Sequence, residues 1–196
     1  MTYEMKPLSC DPTRLKGLSE KLIVSHYQNN YGGAVKRLNA IVAQWAALDV
    51  TSAPVFVING LKREELIAAN SMILHELYFD GLGESAGPAG ALAAALTRDF
   101  GGLERWRAEF SAMGKALGGG SGWVLLTYSH RDRKLVNQWA ADHTCHLAGG
   151  TPILALDMYE HSYHMDYGAK AAAYVDASMN NINWANAARL YEECMK

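Results

Sequence analysis

The sequence predicts an α+β chain, with an N-terminal helical hairpin followed by an α/β domain that carries a three-stranded antiparallel sheet. Three observations predict it. Apolar residues recur at helical spacing through residues 19–48 and 62–82. Two β-type runs flank the charged turn from His130 to Lys134. A third apolar run, "TPILALDMY", stands before the last helical stretch.

Taken in order, "SEKLIVSHYQNNYGGAVKRLNAIVAQWAAL" spaces Leu22, Ile23, Tyr27, Tyr31, Val35, Leu38, Ile41, Val42 and Trp45 along one helical stripe. Gly32 and Gly33 interrupt it at a cost of about 1 kcal/mol each relative to alanine, so a bend or a close backbone approach is expected there. A second helix over "KREELIAANSMILHELYFDGL" ends in "GLGESAGPAG", whose Gly and Pro residues mark a boundary. The chain therefore divides into residues 1–85 and 86–196. Two short helices over 91–117 lead into the β-hairpin, and helices close the chain after residue 168.

Bulk properties narrow the function classes. Hydrophobic residues at 49% and charged residues at 19% over 196 residues support a buried core, and a net charge of −2 gives no reason to expect nucleic acid or an anionic membrane as partner. Cys10, Cys145 and Cys194 are odd in number and form no CxxC pair, which fits a reducing compartment and argues against a zinc thiolate site. The N-terminus lacks the apolar segment of a secretory signal, and no run approaches the length of a membrane span. A cytoplasmic location is expected.

Several side chains carry candidate chemistry. His26 lies on or beside the first helical stripe and His75 sits inside "SMILHELYF"; each is open to a core role or a ligand role. Asp157 follows "PILAL" and would emerge at the end of a buried strand, where a carboxylate needs a cation or a partner. It could equally cap a helix starting at Met158, with His161 decorating that helix. Three imidazoles and one carboxylate, without thiolate, favour iron or manganese over structural zinc.

Three motifs in order complete the pattern. "DMYEHSYHMDY", "GGGSGWVLL" and "NNINW" resemble the signatures of the iron/manganese superoxide dismutases, and "HELYF" is similar to the second ligand helix of that family. The stretch from His26 to Asn39 aligns without a gap. The resemblance spans nearly the whole chain. It implies one iron or manganese ion per subunit, held by His26, His75, Asp157 and His161, and superoxide as the substrate converted to oxygen and hydrogen peroxide.

The same resemblance gives other residues roles. A glutamine or histidine orients metal-bound solvent in the family; Ser71 is too short for this at the helix position, so the role falls to His143 on the second strand, with His146 as the alternative register. Trp123 would wall the pocket. Glu160 would reach the partner's ligand histidine across a homodimer interface that Tyr163 joins, and a tetramer is equally compatible.

Departures cluster where substrate would enter. The family's gateway tyrosine is Ala34, and its relay histidine is Asn30, which can still hydrogen-bond to Tyr163 but carries no proton at neutral pH. Tyr31, one turn before Ala34, offers a hydroxyl or packs in the core. Tyr159 replaces the signature tryptophan, Cys10 an aromatic residue, and Asn29 a lysine; a basic pair is reduced to Lys170. These changes leave a dismutase-like metal-binding dimer with weak or no turnover as the competing expectation.

Overall fold

The protein is described by a computed structural model covering residues 2–84 and 86–196. The expected domain boundary falls at Ser85, which lies outside the described residues. The N-terminal helical hairpin forms as the periodicity predicts. Its first arm comprises α1 (Glu20–Ser25), a π-helical segment (His26–Tyr31) and α2 (Gly32–Ala46); its second is the long α3 (Val55–Asp80). Ser19 starts α1 by accepting the Leu22 N–H on its hydroxyl.

The interruption in the first arm lies ahead of the glycines, in the π turn that begins at His26. Such widened turns re-aim side chains. Gly32 lies at a close approach, since a Cβ there would sit 3.1 Å from Met5 Sδ. The N-terminal segment therefore packs on this arm, and Asn39 pins it by bonding both backbone groups of Tyr3, at 2.8 and 2.9 Å.

Beyond the hairpin follow α4 (Gly90–Phe100) and α5 (Leu103–Ala116), then β1 (Trp123–Ser129), β2 (Lys134–Ala140) and β3 (Gly150–Asp157). The sheet has the order β2-β1-β3, antiparallel throughout. All of β1 is buried, as the central strand of a covered sheet must be. Gly122 precedes it at φ 132°, where a Cβ would meet the Ala140 carbonyl at 2.2 Å. A short α6 (His164–Tyr167), α7 (Ala171–Ser178) and α8 (Trp184–Cys194) complete the chain.

One continuous core joins hairpin and sheet: Ile23, Leu38, Tyr78 and Phe79 belong to the same buried cluster as Trp123, Leu125, Leu156 and Tyr174. This packing lets helices from the first half deliver side chains to a strand end in the second. Among the described residues, no helix is long and apolar enough to cross a membrane.

Candidate metal centre

Asp157 is the last residue of β3 and is wholly buried. The helix cap considered at this position does not form. Asp157 Oδ1 accepts the Tyr159 N–H at 2.8 Å, and the chain then makes only a 3-10 turn over Glu160–Ser162. That turn swings His161 back over the carboxylate. The backbone of Asp157 is fastened from behind, its carbonyl accepting the hydroxyls of Ser162 at 2.9 Å and Tyr174 at 2.8 Å.

Two further imidazoles arrive from the hairpin. His26 opens the π segment and His75 projects from α3, both 1% exposed. Asp157 Oδ2 lies 3.2 Å from Nε2 of His26, 3.6 Å from Nε2 of His75 and 3.2 Å from Nε2 of His161. One donor atom from each of the four residues falls within 4.8 Å of every other. Ligands on a single ion with bonds of about 2.1 Å and angles of about 90–120° stand roughly 3.0–3.6 Å apart, so the three separations from Asp157 Oδ2 fit the edges of one coordination shell.

The hydrogen bonding points the same way. Neither ring nitrogen of His26 has a hydrogen-bond partner, nor has Nε2 of His75, although all three are buried. The 3.2 Å approach of His26 to Asp157 is too poorly directed to be a hydrogen bond. Orphaned buried nitrogens cost about 1–3 kcal/mol each, and a cation is the partner that relieves them. His75 has its other nitrogen secured, since Nδ1 donates to the Ser71 carbonyl at 2.6 Å and leaves the Nε2 lone pair for a metal.

Protonation suits metal binding. Burial lowers the His26 pKa and pushes that of His75 down to about 3, so both rings are neutral. Burial alone would raise the Asp157 carboxyl. Hydrogen bonding with His161 and the proximity of His161 and His26 outweigh it and hold the carboxyl well below the usual carboxylate range. Neutral imidazoles and an ionised carboxylate are the forms that ligate.

Around the four stands an aromatic wall. Trp123, fully buried, pairs across the sheet with Asp157 and meets the His75 ring edge-on at 5.3 Å. Its Nε1–H donates to Nδ1 of His143 at 3.0 Å. His143 also stacks on Tyr159 at 4.8 Å between ring centres, and its ring lies 6.1 Å from His75. Burial lowers the His143 pKa.

The remaining candidates separate clearly. His146 is exposed, with Nδ1 beside the Leu147 carbonyl. Tyr31 is a core residue whose hydroxyl donates to Glu76 at 2.9 Å and accepts the Lys6 N–H at 2.9 Å. Tyr163 is buried within the protomer against Tyr174, and no hydrogen bond joins it to Asn30 inside the chain. Glu160 is exposed beside the half-buried His161. One feature escaped the sequence, the Ser71 carbonyl as the partner of His75. The helical i, i+4 spacing of Ser71 and His75 was the one available signal for it.

Residues 88–190 match the family model described as iron/manganese superoxide dismutases, C-terminal domain. The chain is 72% identical, over the whole length of both proteins, to a protein of Cupriavidus metallidurans named superoxide dismutase [Fe]. It is also 33% identical to superoxide dismutase [Mn] 2 of Haloferax volcanii, covering 100% of this chain and 98% of that one. Superoxide dismutase [Fe] of Aquifex pyrophilus is 33% identical over 94% of this chain and 89% of its own. By its sequence over the full length, and with a fold and a His/Asp cluster that agree, the chain belongs to the iron/manganese superoxide dismutase family.

Proposed function

We propose that the protein is a superoxide dismutase whose single iron or manganese ion is held by His26, His75, Asp157 and His161. The convergence of three Nε2 atoms on Asp157 Oδ2 carries this reading. Full-length identity of 72% to a protein named as an iron dismutase supports turnover over mere metal storage. A redox-active ion held there would supply the cycle between +2 and +3 needed to oxidise one superoxide to oxygen and, with two protons, reduce the next to hydrogen peroxide.

The chain's own groups do the rest. One carboxylate against three neutral imidazoles leaves a trivalent ion net positive, which favours an anionic substrate. The indole N–H of Trp123 can only donate, so Nδ1 of His143 accepts and the imidazole proton sits on Nε2. His143 is thus a neutral N–H donor suited to orienting metal-bound solvent. Trp123 and Tyr159 exclude bulk water from the two sides they cover.

Exposed Glu160 next to His161 favours a homodimer in which the partner's glutamate fixes the His161 ring; Tyr163, being buried, supports that surface from beneath. The reducing-compartment cysteine pattern supports an antioxidant role in the cytoplasm. Metal analysis of the purified protein, with superoxide decay followed by stopped flow on iron-loaded and manganese-loaded samples, tests the function. Decay above that of the free ion is expected in at least one form. Full occupancy with no acceleration in either would overturn it.

A further inference from the structure

His143 sits on the connection between β2 and β3, residues 141–149, and lines two cavities. One, of about 260 Å³, is shared with Ala34 and Ser71. The other, of about 180 Å³, is apolar and is shared with Ile73, Leu74 and Pro152. Close packing fixes most side chains of a protein interior, but a residue bordering two voids needs directed bonds to hold its place.

Two such bonds are present. Trp123 holds the ring, its Nε1–H donating to Nδ1 at 3.0 Å. Asn70 of α3 holds the backbone, its Nδ2 donating to the His143 carbonyl at 2.6 Å. A carbonyl only accepts, so the amide must present its NH2 group there. Within the connection, Asp142 Oδ1 accepts the N–H and hydroxyl of Thr144 at 2.7 and 2.6 Å, which shapes the turn around His143 without fixing its height over α3. The Asn70 bond supplies that height. It also ties His143 to the helix that carries His75, whose Nδ1 is secured by the carbonyl of the next residue, Ser71, at 2.6 Å. The rings of His75 and His143 stand 6.1 Å apart between centres.

We infer that Asn70 is a positioning residue for the reaction: its amide registers the 141–149 connection on α3 and so sets how closely the His143 N–H approaches solvent on the ion that His75 helps to hold. A ring held at Nδ1 alone can pivot about that bond into either void; one whose backbone is held as well cannot. The inference rests on the dismutase reading and adds to it a residue outside the set of four ligands.

Asn70→Leu tests it, because leucine has nearly the same volume, suits a helix and has no donor. Hydrogen exchange on the metal-loaded protein is expected to speed up at least tenfold across 141–149 and to stay unchanged in β1. Metal content should equal the parent's, the visible band of the bound metal should shift, and superoxide decay should fall about tenfold, as for other groups that orient a metal site from outside its ligands. In a His143→Ala background the same change should leave the visible band unmoved and alter decay less than about twofold, since the effect passes through His143. Asn70→Ala, which also lacks the donor, should repeat each result. Unchanged exchange at 141–149, unchanged decay in Asn70→Leu, or a loss of equal size with and without His143 would each overturn the inference. A fully loaded parent that does not accelerate superoxide decay would remove the dismutase reading instead, while the exchange data would still report whether Asn70 holds the connection.

Discussion

Trp123 donates its indole N–H to Nδ1 of His143 across 3.0 Å, and this bond places the imidazole proton on the opposite nitrogen. The tryptophan is in turn fixed by the sheet, because it pairs in register with Ala140 on one side and Asp157 on the other. Strand pairing thus sets both the position of the Asp157 carboxylate and, through Trp123, the orientation of His143.

Trp123→Phe removes the donor while keeping an aromatic ring. His143 then populates both tautomers, and superoxide decay is expected to fall about tenfold, in the range typical of partners that orient groups around a metal. Nitrogen-15 shifts of the His143 ring report the tautomer directly. An unchanged Nε2–H population in the variant would show that something other than Trp123 sets it.

His26 presents two buried nitrogens without partners, a cost in the metal-free chain that the proposed ligand role would relieve. His26→Leu is accordingly expected to abolish metal retention and, in the same variant, to raise the stability of the metal-free protein by about 1 kcal/mol. Metal analysis and chemical denaturation of metal-free samples read the two effects. A destabilised metal-free variant would mean that the imidazole is satisfied in a way the geometry does not show.

Low pH should unfold the metal-free protein through the same histidines. Burial pushes the His75 pKa down to about 3, whereas the unfolded chain takes that proton near 6.5. Between these values the unfolded state binds more protons than the folded one, so stability falls as pH drops from about 6.5 to about 3, at about 1 kcal/mol per pH unit for each such group. His26, lowered by the same cause, steepens the slope. Urea midpoints measured from pH 7 to pH 4 check this; His75→Phe should flatten the curve, and a curve unaffected by that change would reject the assignment.

The sequence exposed what is local and hid what is not. The strands on either side of His130–Lys134 were legible because alternation and a charged turn act within a few residues. The π turn was not, since over the six residues His26–Tyr31 its period cannot be told from that of an α-helix, and the glycines drew attention to the wrong turn. Asp157 read equally as strand end or helix cap because either needs an acidic residue after an apolar run. Resemblance to family motifs, and then the folded geometry, resolved it. Convergence of His26 and His75 on that carboxylate depends on packing between the two halves of the chain, which no local pattern encodes. The opening at Ala34 was legible, by contrast, because the side chain that the family carries at that position is missing.

Tyr31 illustrates how a residue near the site can serve the fold. Its hydroxyl accepts the Lys6 N–H and donates to Glu76, each at 2.9 Å, while Lys6 Nζ pairs with the same glutamate. Tyr27 adds a bond from its hydroxyl to the Lys6 carbonyl at 2.6 Å. The N-terminal segment is thereby clamped to the π turn and to α3. Burial drives the Tyr31 pKa up to about 12, so the phenol stays protonated and the clamp persists through neutral pH. Tyr31→Phe deletes two hydrogen bonds and keeps the ring that packs on Phe79. A stability loss of about 1–2 kcal/mol is expected, with faster hydrogen exchange at the Lys6 amide and superoxide decay within about threefold of the parent. Unchanged exchange at Lys6, or a collapse of activity in a stably folded variant, would show that Tyr31 acts on the metal centre instead.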